Sequence, residues 1–365
     1  MKKRISLITS LFIFGLSLLP SSIFAHSGGS CDSTSMPFNC CRPDGHAPAG
    51  VMSDHVHLKG QWGFSYSLQS QTSVGNYQQA QAVSDQQILQ NYAMVPQSMQ
   101  MNMHMFMVMY GITDQLTAML TLPYQQNEMT MKMPINGMVM PGMPSGPATS
   151  YPNSMLTTTN GLGDIHLEFL YKLLDQGAKR LIGGLGLSLP TGSINEKGTT
   201  LLGENALLPY GMQLGSGSYA LLPSLTYVVQ KCQWSMGANS IANVQLSPNS
   251  LGYTSENQWV TSAWLGYRWV SFLSTSVRLE YLAQSSIQGF DATTALLSSN
   301  DPNSNTLNTG SNRINAYLGL NLYKPQQPLR GMRLALEYGL PVYQSYNGIQ
   351  QPVTGIFTAQ LFYLF

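Results

Sequence analysis

Methionine and histidine supply most of this chain's capacity for specific chemistry. Met99, Met101, Met103, Met105, Met107 and Met109 occupy every second position. On a strand, that spacing puts six thioethers on one face. The opposite face carries Asn102, His104, Phe106, Val108 and Tyr110. Two readings are open. A stripe of flexible apolar side chains suits the lipid-facing wall of a membrane strand, which is the simpler expectation. Turned inward, the same thioethers would form a ladder for a soft cation such as Cu(I) or Ag(I). A second group, Met129, Met131, Met133, Met138, Met140 and Met143, is interrupted by Pro134, Asn136-Gly137, Pro141-Gly142 and Pro144. Those breakers read as a loop. Its spacing resembles the Met-rich segments of exported copper-handling proteins, and it equally suits a hydrophobic loop folded into a barrel mouth. Met131, Met133, Met138 and Met140 are the candidate thioether ligands for copper.

The segment 26–57 holds four of the six histidines, His26, His46, His55 and His57, and three of the four cysteines, Cys31, Cys40 and Cys41. His55 and His57 are candidate ligands for a borderline metal such as Cu(II) or Zn(II), although their spacing matches no closed zinc site. Adjacent Cys40 and Cys41 pair poorly with one another, so a disulfide would join Cys31 to one of them, Cys40 being the expected partner. Metal ligation and free thiols stay open as alternatives. The chain has neither a G-x-S-x-G elbow nor an H-E-x-x-H pair, and no enzymatic role is expected.

The elements that must position these groups show in composition and periodicity. Only 9% of the 365 residues are charged, against about 25% in ordinary domains. Disorder is excluded by 43% hydrophobic and 10% aromatic residues, and a net charge of +1 argues against nucleic acid as a partner. Lys2, Lys3 and Arg4 precede an apolar run from Ile5 to Leu19, and Ala25 closes the segment. That pattern predicts a secretory signal over 1–25. Past it no apolar run approaches 18 residues, which excludes a helical membrane protein.

The chain beyond residue 57 alternates with period two. Leu58, Trp62, Phe64, Tyr66 and Leu68 interleave with Lys59, Gln61, Ser65 and Ser67. Leu273, Val277, Leu279 and Tyr281 interleave with Ser274, Ser276, Arg278 and Glu280. The pattern predicts about twelve strands, 57–68, 99–111, 114–128, 162–174, 180–189, 218–230, 232–246, 258–270, 272–285, 312–323, 331–340 and 354–365. Connections alternate long and short. The long ones fall near 69–98, 129–161, 190–217, 247–257, 286–311 and 341–353. The expected fold is all-β: a transmembrane, antiparallel, up-and-down β-barrel with a short N-terminal arm. The expected organisation is a signal over 1–25, a periplasmic Cys/His arm or plug over 26–56 and the barrel over 57–365. Apolar faces would then meet the lipid bilayer. Asp164, His166, Glu168, Lys172, Arg268, Arg278, Glu280, Arg313, Arg333 and Glu337 would line the lumen, where they either select a small solute or form a satisfied network that stiffens the barrel. The final strand closes on Phe365, a terminal aromatic of the kind read by the outer-membrane assembly machinery. The expected location is the outer membrane of a Gram-negative bacterium.

Several motifs add a family resemblance. They are the run from Ala47 to His57, Gly161-Leu162-Gly163-Asp164, Leu187 to Ser193, Met212 to Tyr219, and Gly339 to Gln344. In order and spacing they resemble the outer-membrane proteins named for the MetA pathway of phenol degradation, from about residue 46 to the end. The resemblance implies a barrel and a transport role, without implying that phenol is handled. The expected function is therefore a channel or transporter for a small solute. Metal handling by the Met/His-rich segments, or a structural barrel without flux, are the alternatives.

Overall fold

The computed structural model describes residues 38–133, 154–326, 329 and 331–364. The expected signal segment 1–25, Cys31, Met138, Met140 and Phe365 lie outside the described residues. Twelve antiparallel strands close on themselves. They are β1 (Trp62–Val74), β2 (Val95–Gly111), β3 (Leu116–Lys132), β4 (in two segments, Ser154–Leu162 and Ile165–Gln176), β5 (Lys179–Leu189), β6 (Ala220–Lys231), β7 (Trp234–Gln245), β8 (Gln258–Val270), β9 (Leu273–Gln284), β10 (Ser311–Tyr323), β11 (Arg333–Gln350) and β12 (Val353–Leu364). Each strand pairs with its sequence neighbours. Closure is β1 on β12, from Gly63 opposite Leu364 to Ser73 opposite Val353. Closure removes the unpaired edges that an open sheet would leave.

Alternation decides the two faces. Phe64, Phe169, Tyr171, Leu225, Val277, Leu279, Leu318 and Phe357 stand exposed on the outside, while Ser65, Ser67, Thr121, Thr226, Asn239, Ser262, Ser276 and Asn315 are buried inside. This inverts the usual globular arrangement, as a barrel in lipid requires. Aromatic rings gather at the end bearing the short turns: Trp62 lies 4.6 Å from Tyr110, and Tyr267 packs between Trp234 and Trp269 at 4.7 and 4.6 Å.

Three expectations change. The first strand begins at Trp62, so Leu58 belongs to the approach and is pinned to the first turn by Gln61. The expected loop from 341 shrinks to the turn at Gln351-Pro352, because β11 runs on to Gln350 and pairs with Tyr77–Gln79. The Met-rich segment starts as strand: β3 extends to Lys132 and carries Met129 and Met131 on its inner face, before the proline breakers begin.

Candidate functional site

The lumen is the site, and three sets of residues define it. The first is the arm. Residues 38–57 pass inside the turn end of the barrel and are held mainly through their backbone. Arg333, buried on β11, donates to the carbonyl oxygens of Cys40, Arg42 and Pro43 at 3.1, 2.7 and 2.9 Å. Arg42 pairs with Asp44 and donates to the carbonyl of Cys232. The Gly50 amide donates to Glu337 Oε2 at 2.6 Å. Thr226 Oγ1 donates to the Ser53 carbonyl, Asn239 Nδ2 to the Met52 carbonyl, and Ser53 Oγ to Glu168 Oε2. Apolar arm residues fill the gaps, with Ala47 and Val51 packed on Val228 and Trp264. Only glycine fits at 50, because a Cβ there would collide with the Arg278 guanidinium and with Glu337.

Within the arm, Asp54 organises its own loop. Its Oδ2 accepts from the Ala47 amide at 2.7 Å, and its Oδ1 meets His55 Nδ1 at 2.6 Å. His46 Nδ1 lies 3.6 Å from the same carboxylate, and the rings of His46 and His55 are 4.2 Å apart. Burial lowers the His46 imidazole well below its ordinary range, with Arg333 adding to the effect. Burial likewise brings His57 down to about 3, with repulsion from His55. For Asp54 burial works the other way, but the attraction of His55 and its hydrogen bonds hold the carboxyl below its usual value.

The second set is a charge network just beyond the arm. Arg278 grips Glu337 through two bonds, Nε to Oε1 at 3.1 Å and Nη2 to Oε2 at 3.0 Å. Its Nη1 reaches Glu280 at 2.6 Å and Ser262 at 3.2 Å. The Tyr317 ring lies 3.7 Å from its guanidinium carbon, and Tyr317 and Asn315 complete the shell of Glu280. A two-pronged, fully partnered arrangement like this fixes geometry rather than leaving a charge to bind a passing ion.

The third set is the thioether wall. The simpler expectation put the Met stripe against lipid, and the register places it inside. Met107, Met105 and Met103 pair with Ser65, Ser67 and Gln69 of β1, all on the inner face. Across β3, Met107, Met103 and Met101 face Thr121, Gln125 and Asn127, and Met109 and Met99 face Met119 and Met129. The bulkier alternate face, with Phe106 and Tyr110, takes the outer wall. His104 goes with it: its Nδ1 lies 2.8 Å from Tyr66 OH and its Nε2 3.5 Å from Gln126, with no serine among its hydrogen-bond partners. Above the ladder, Met129, Met131 and Met133 pack with Met94, Leu201, Leu208, Met212 and Leu297. The long connections fold over the mouth here, and Asn303 Nδ2 sits 3.1 Å from the Met129 sulfur.

The sequence-derived lumen residues thus divide. Arg278, Glu280 and Glu337 form the network, while Arg333 and Glu168 hold the arm. His166 lies on the inner face opposite Thr121 and Ser188. Arg313, buried on β10, reaches Gln71. Lys172 pairs with Asp175, and Arg268 lies two residues before the end of β8 on the face of Trp264. Asp164 sits in the break of β4, where it accepts from the amides of Gly192 and Ser216 and the Ser216 hydroxyl, anchoring a long connection instead of lining a passage. Among the candidate metal ligands, His55 groups with His46 and Asp54, with His57 beside it. Met131 and Met133 lie in the apolar cluster at the mouth. Cys40 and Cys41 sulfurs are 4.0 Å apart, with neither thiol in a disulfide. Sequence reasoning missed His46, Asp54 and Gly50, although all three stand in or beside the motif from Ala47 to His57.

A family model described as MetA-pathway of phenol degradation matches residues 90–295. No curated protein matches. Among solved structures, an outer membrane channel from Pseudomonas putida F1 is similar with a TM-score of 0.54 at 15% identity, covering 86% of this chain and 98% of its own. A FadL homologue from Pseudomonas aeruginosa aligns with a TM-score of 0.41 at 10% identity, covering 90% and 95%.

Proposed function

We propose that this chain, which belongs to the MetA-pathway of phenol degradation family, is an outer-membrane channel for a small solute and that the arm governs its periplasmic end. The observation that carries this reading is the way the arm is held inside the lumen. The arm is held by hydrogen bonds and ion-dipole contacts from the inward side chains of Arg333, Glu337, Thr226, Asn239 and Glu168, and it adds no strand to the barrel. Such contacts exchange with water at modest net cost, so the obstruction can leave while the barrel stays intact. A purely structural barrel needs no removable filling.

The two walls suggest the kind of solute. One strand presents thioethers, and the strands on either side of it present serine, threonine, asparagine and glutamine. A small molecule with one apolar and one polar side would find partners on both, without a strong site to trap it. Purified protein in planar bilayers and in liposomes tests the reading. Solute flux through folded, heat-modifiable protein is expected; its absence both in the wild type and after removal of residues 38–56 would end the channel account.

The inward ladder favours a second reading specifically. Six thioethers in series suit a soft cation, and the lumen would then conduct Ag(I) or Cu(I). Leucine at Met101, Met103 and Met105 keeps the wall apolar but removes sulfur. Silver flux should fall in that variant while flux of an uncharged solute is unchanged.

A further inference from the structure

The arm contains a donor cluster that neither the barrel nor the channel reading uses. His46, Asp54 and His55 each place one ligand atom so that all lie within 4.8 Å of one another. Their side chains are nearly enclosed, with 12%, 9% and 14% exposure. Asp54 is aimed by the Ala47 amide, which holds its Oδ2 at 2.7 Å. Carboxylates that serve as ligands are commonly fixed in this way.

A second observation points to a ligand. The Nε2 atoms of His55 and His57 are both buried without a hydrogen-bond partner. A buried imidazole nitrogen left unpaired is costly and rare. Here two occur on neighbouring rings, whose centroids are 4.9 Å apart. His57, whose ring packs against that of His55, is therefore the candidate fourth donor.

We propose that His46, Asp54 and His55 form a site for a divalent transition metal of the zinc or copper(II) class, with His57 completing it. Two or three imidazoles with one carboxylate match the preference of those ions, whereas Cu(I) prefers sulfur and Mg(II) or Ca(II) prefer all-oxygen sets. The ligands lie on both legs of the arm's loop. Between them, Ala47 to Ser53 carries Gly50 to Glu337 and the Ser53 carbonyl to Thr226. A metal joining the legs would fix that loop in the shape that docks into the barrel. The site is separate from the thioether wall and stands whether or not a solute passes.

Metal binding to the intact, folded protein in detergent tests this. The chain is stripped with a chelator and dialysed against buffered Zn(II), and bound metal is measured per chain. Wild type and His104→Ala, whose ring is on the outer wall, should each hold one zinc. His46→Ala and His55→Ala should bind about tenfold or more weakly, while keeping heat-modifiable migration. Unchanged zinc in the variant that combines His46→Ala with His55→Ala, or none in wild type, overturns the proposal. Wild type loaded with Co(II) gives a measurement independent of any variant's folding. Intense visible bands of near-tetrahedral nitrogen and oxygen ligation support the site, and a weak octahedral spectrum overturns it.

Discussion

The two ends of the lumen are lined by opposite chemistry. At the turn end the arm is held by Arg333, Glu337, Thr226 and Asn239 through its backbone carbonyls and the Gly50 amide, and by Glu168 through the Ser53 hydroxyl. At the loop end the mouth is filled by Met94, Met129, Met131, Met133 and Met212 with leucines. Directional contacts fix one register and depend on each member, because a buried charge stripped of its partner is expensive. A thioether cluster tolerates changes of shape and has no such all-or-none member. The turn end is therefore built to be specific, and the loop end to be filled.

The sharpest way to break this contrast is at Arg278. Arg278→Met leaves Glu337 buried without its two-pronged partner and should destabilise the barrel by about 3–5 kcal/mol, whereas Arg278→Met with Glu337→Leu should recover most of that loss. Urea unfolding in detergent followed by tryptophan fluorescence measures both, and equal losses would mean the network is not coupled. Next in size, Arg333→Ala frees three arm carbonyls and should make the arm cleavable by added protease between residues 38 and 57 while the strands stay resistant. At the loop end Met131→Leu should cost less than about 1.5 kcal/mol, in keeping with volume-conserving exchanges; a larger loss would give the sulfur a specific role.

The smallest effect is that of pH on the arm. His57 is held at about 3 by burial, so the docked arm keeps it neutral while the released arm lets it protonate below about 6.5. Docking is then at full strength above that pH and weakens as pH falls from 6.5 toward 3. Asp54, also depressed, adds to the loss only below its ordinary value near 3.8. With a chelator present, the arm should become more protease-sensitive on the order of tenfold per unit across the first unit below 6.5. Constant sensitivity down to pH 5 would contradict the buried, neutral imidazole.

Legibility in the sequence followed periodicity. Alternation such as Val277-Arg278-Leu279-Glu280 separates two faces locally, and the alternating long and short connections favour the barrel over a sandwich, so the barrel and its twelve strands could be read directly. The Met stripe resisted because both faces of β2 are apolar enough to meet lipid. What turns it inward is register against Ser65, Ser67 and Asn127, a relation between strands that no single segment contains. Tyr346 and Ile349 continue β11 past Pro341 by pairing with Gln79 and Gln78, a contact between distant segments that replaces the expected loop. The arm's contacts were illegible for a related reason. Backbone carbonyls and the Gly50 amide do the binding, and backbone groups leave no signature in side-chain type. Asp54 and His46 were visible residues, but only the folded loop brings them together across eight positions.

Single-channel conductance of wild type against Gly50→Ala combined with Arg333→Ala tests the central claim most directly. The double change removes the arm's fit at the charge network and its clamp, and leaves every β-strand hydrogen bond in place. Folded protein of both kinds is confirmed by heat-modifiable migration. An arm-governed channel predicts small or infrequent openings for the wild type and larger, longer ones for the variant. Identical conductance, with the arm shown by protease to be released, would contradict it.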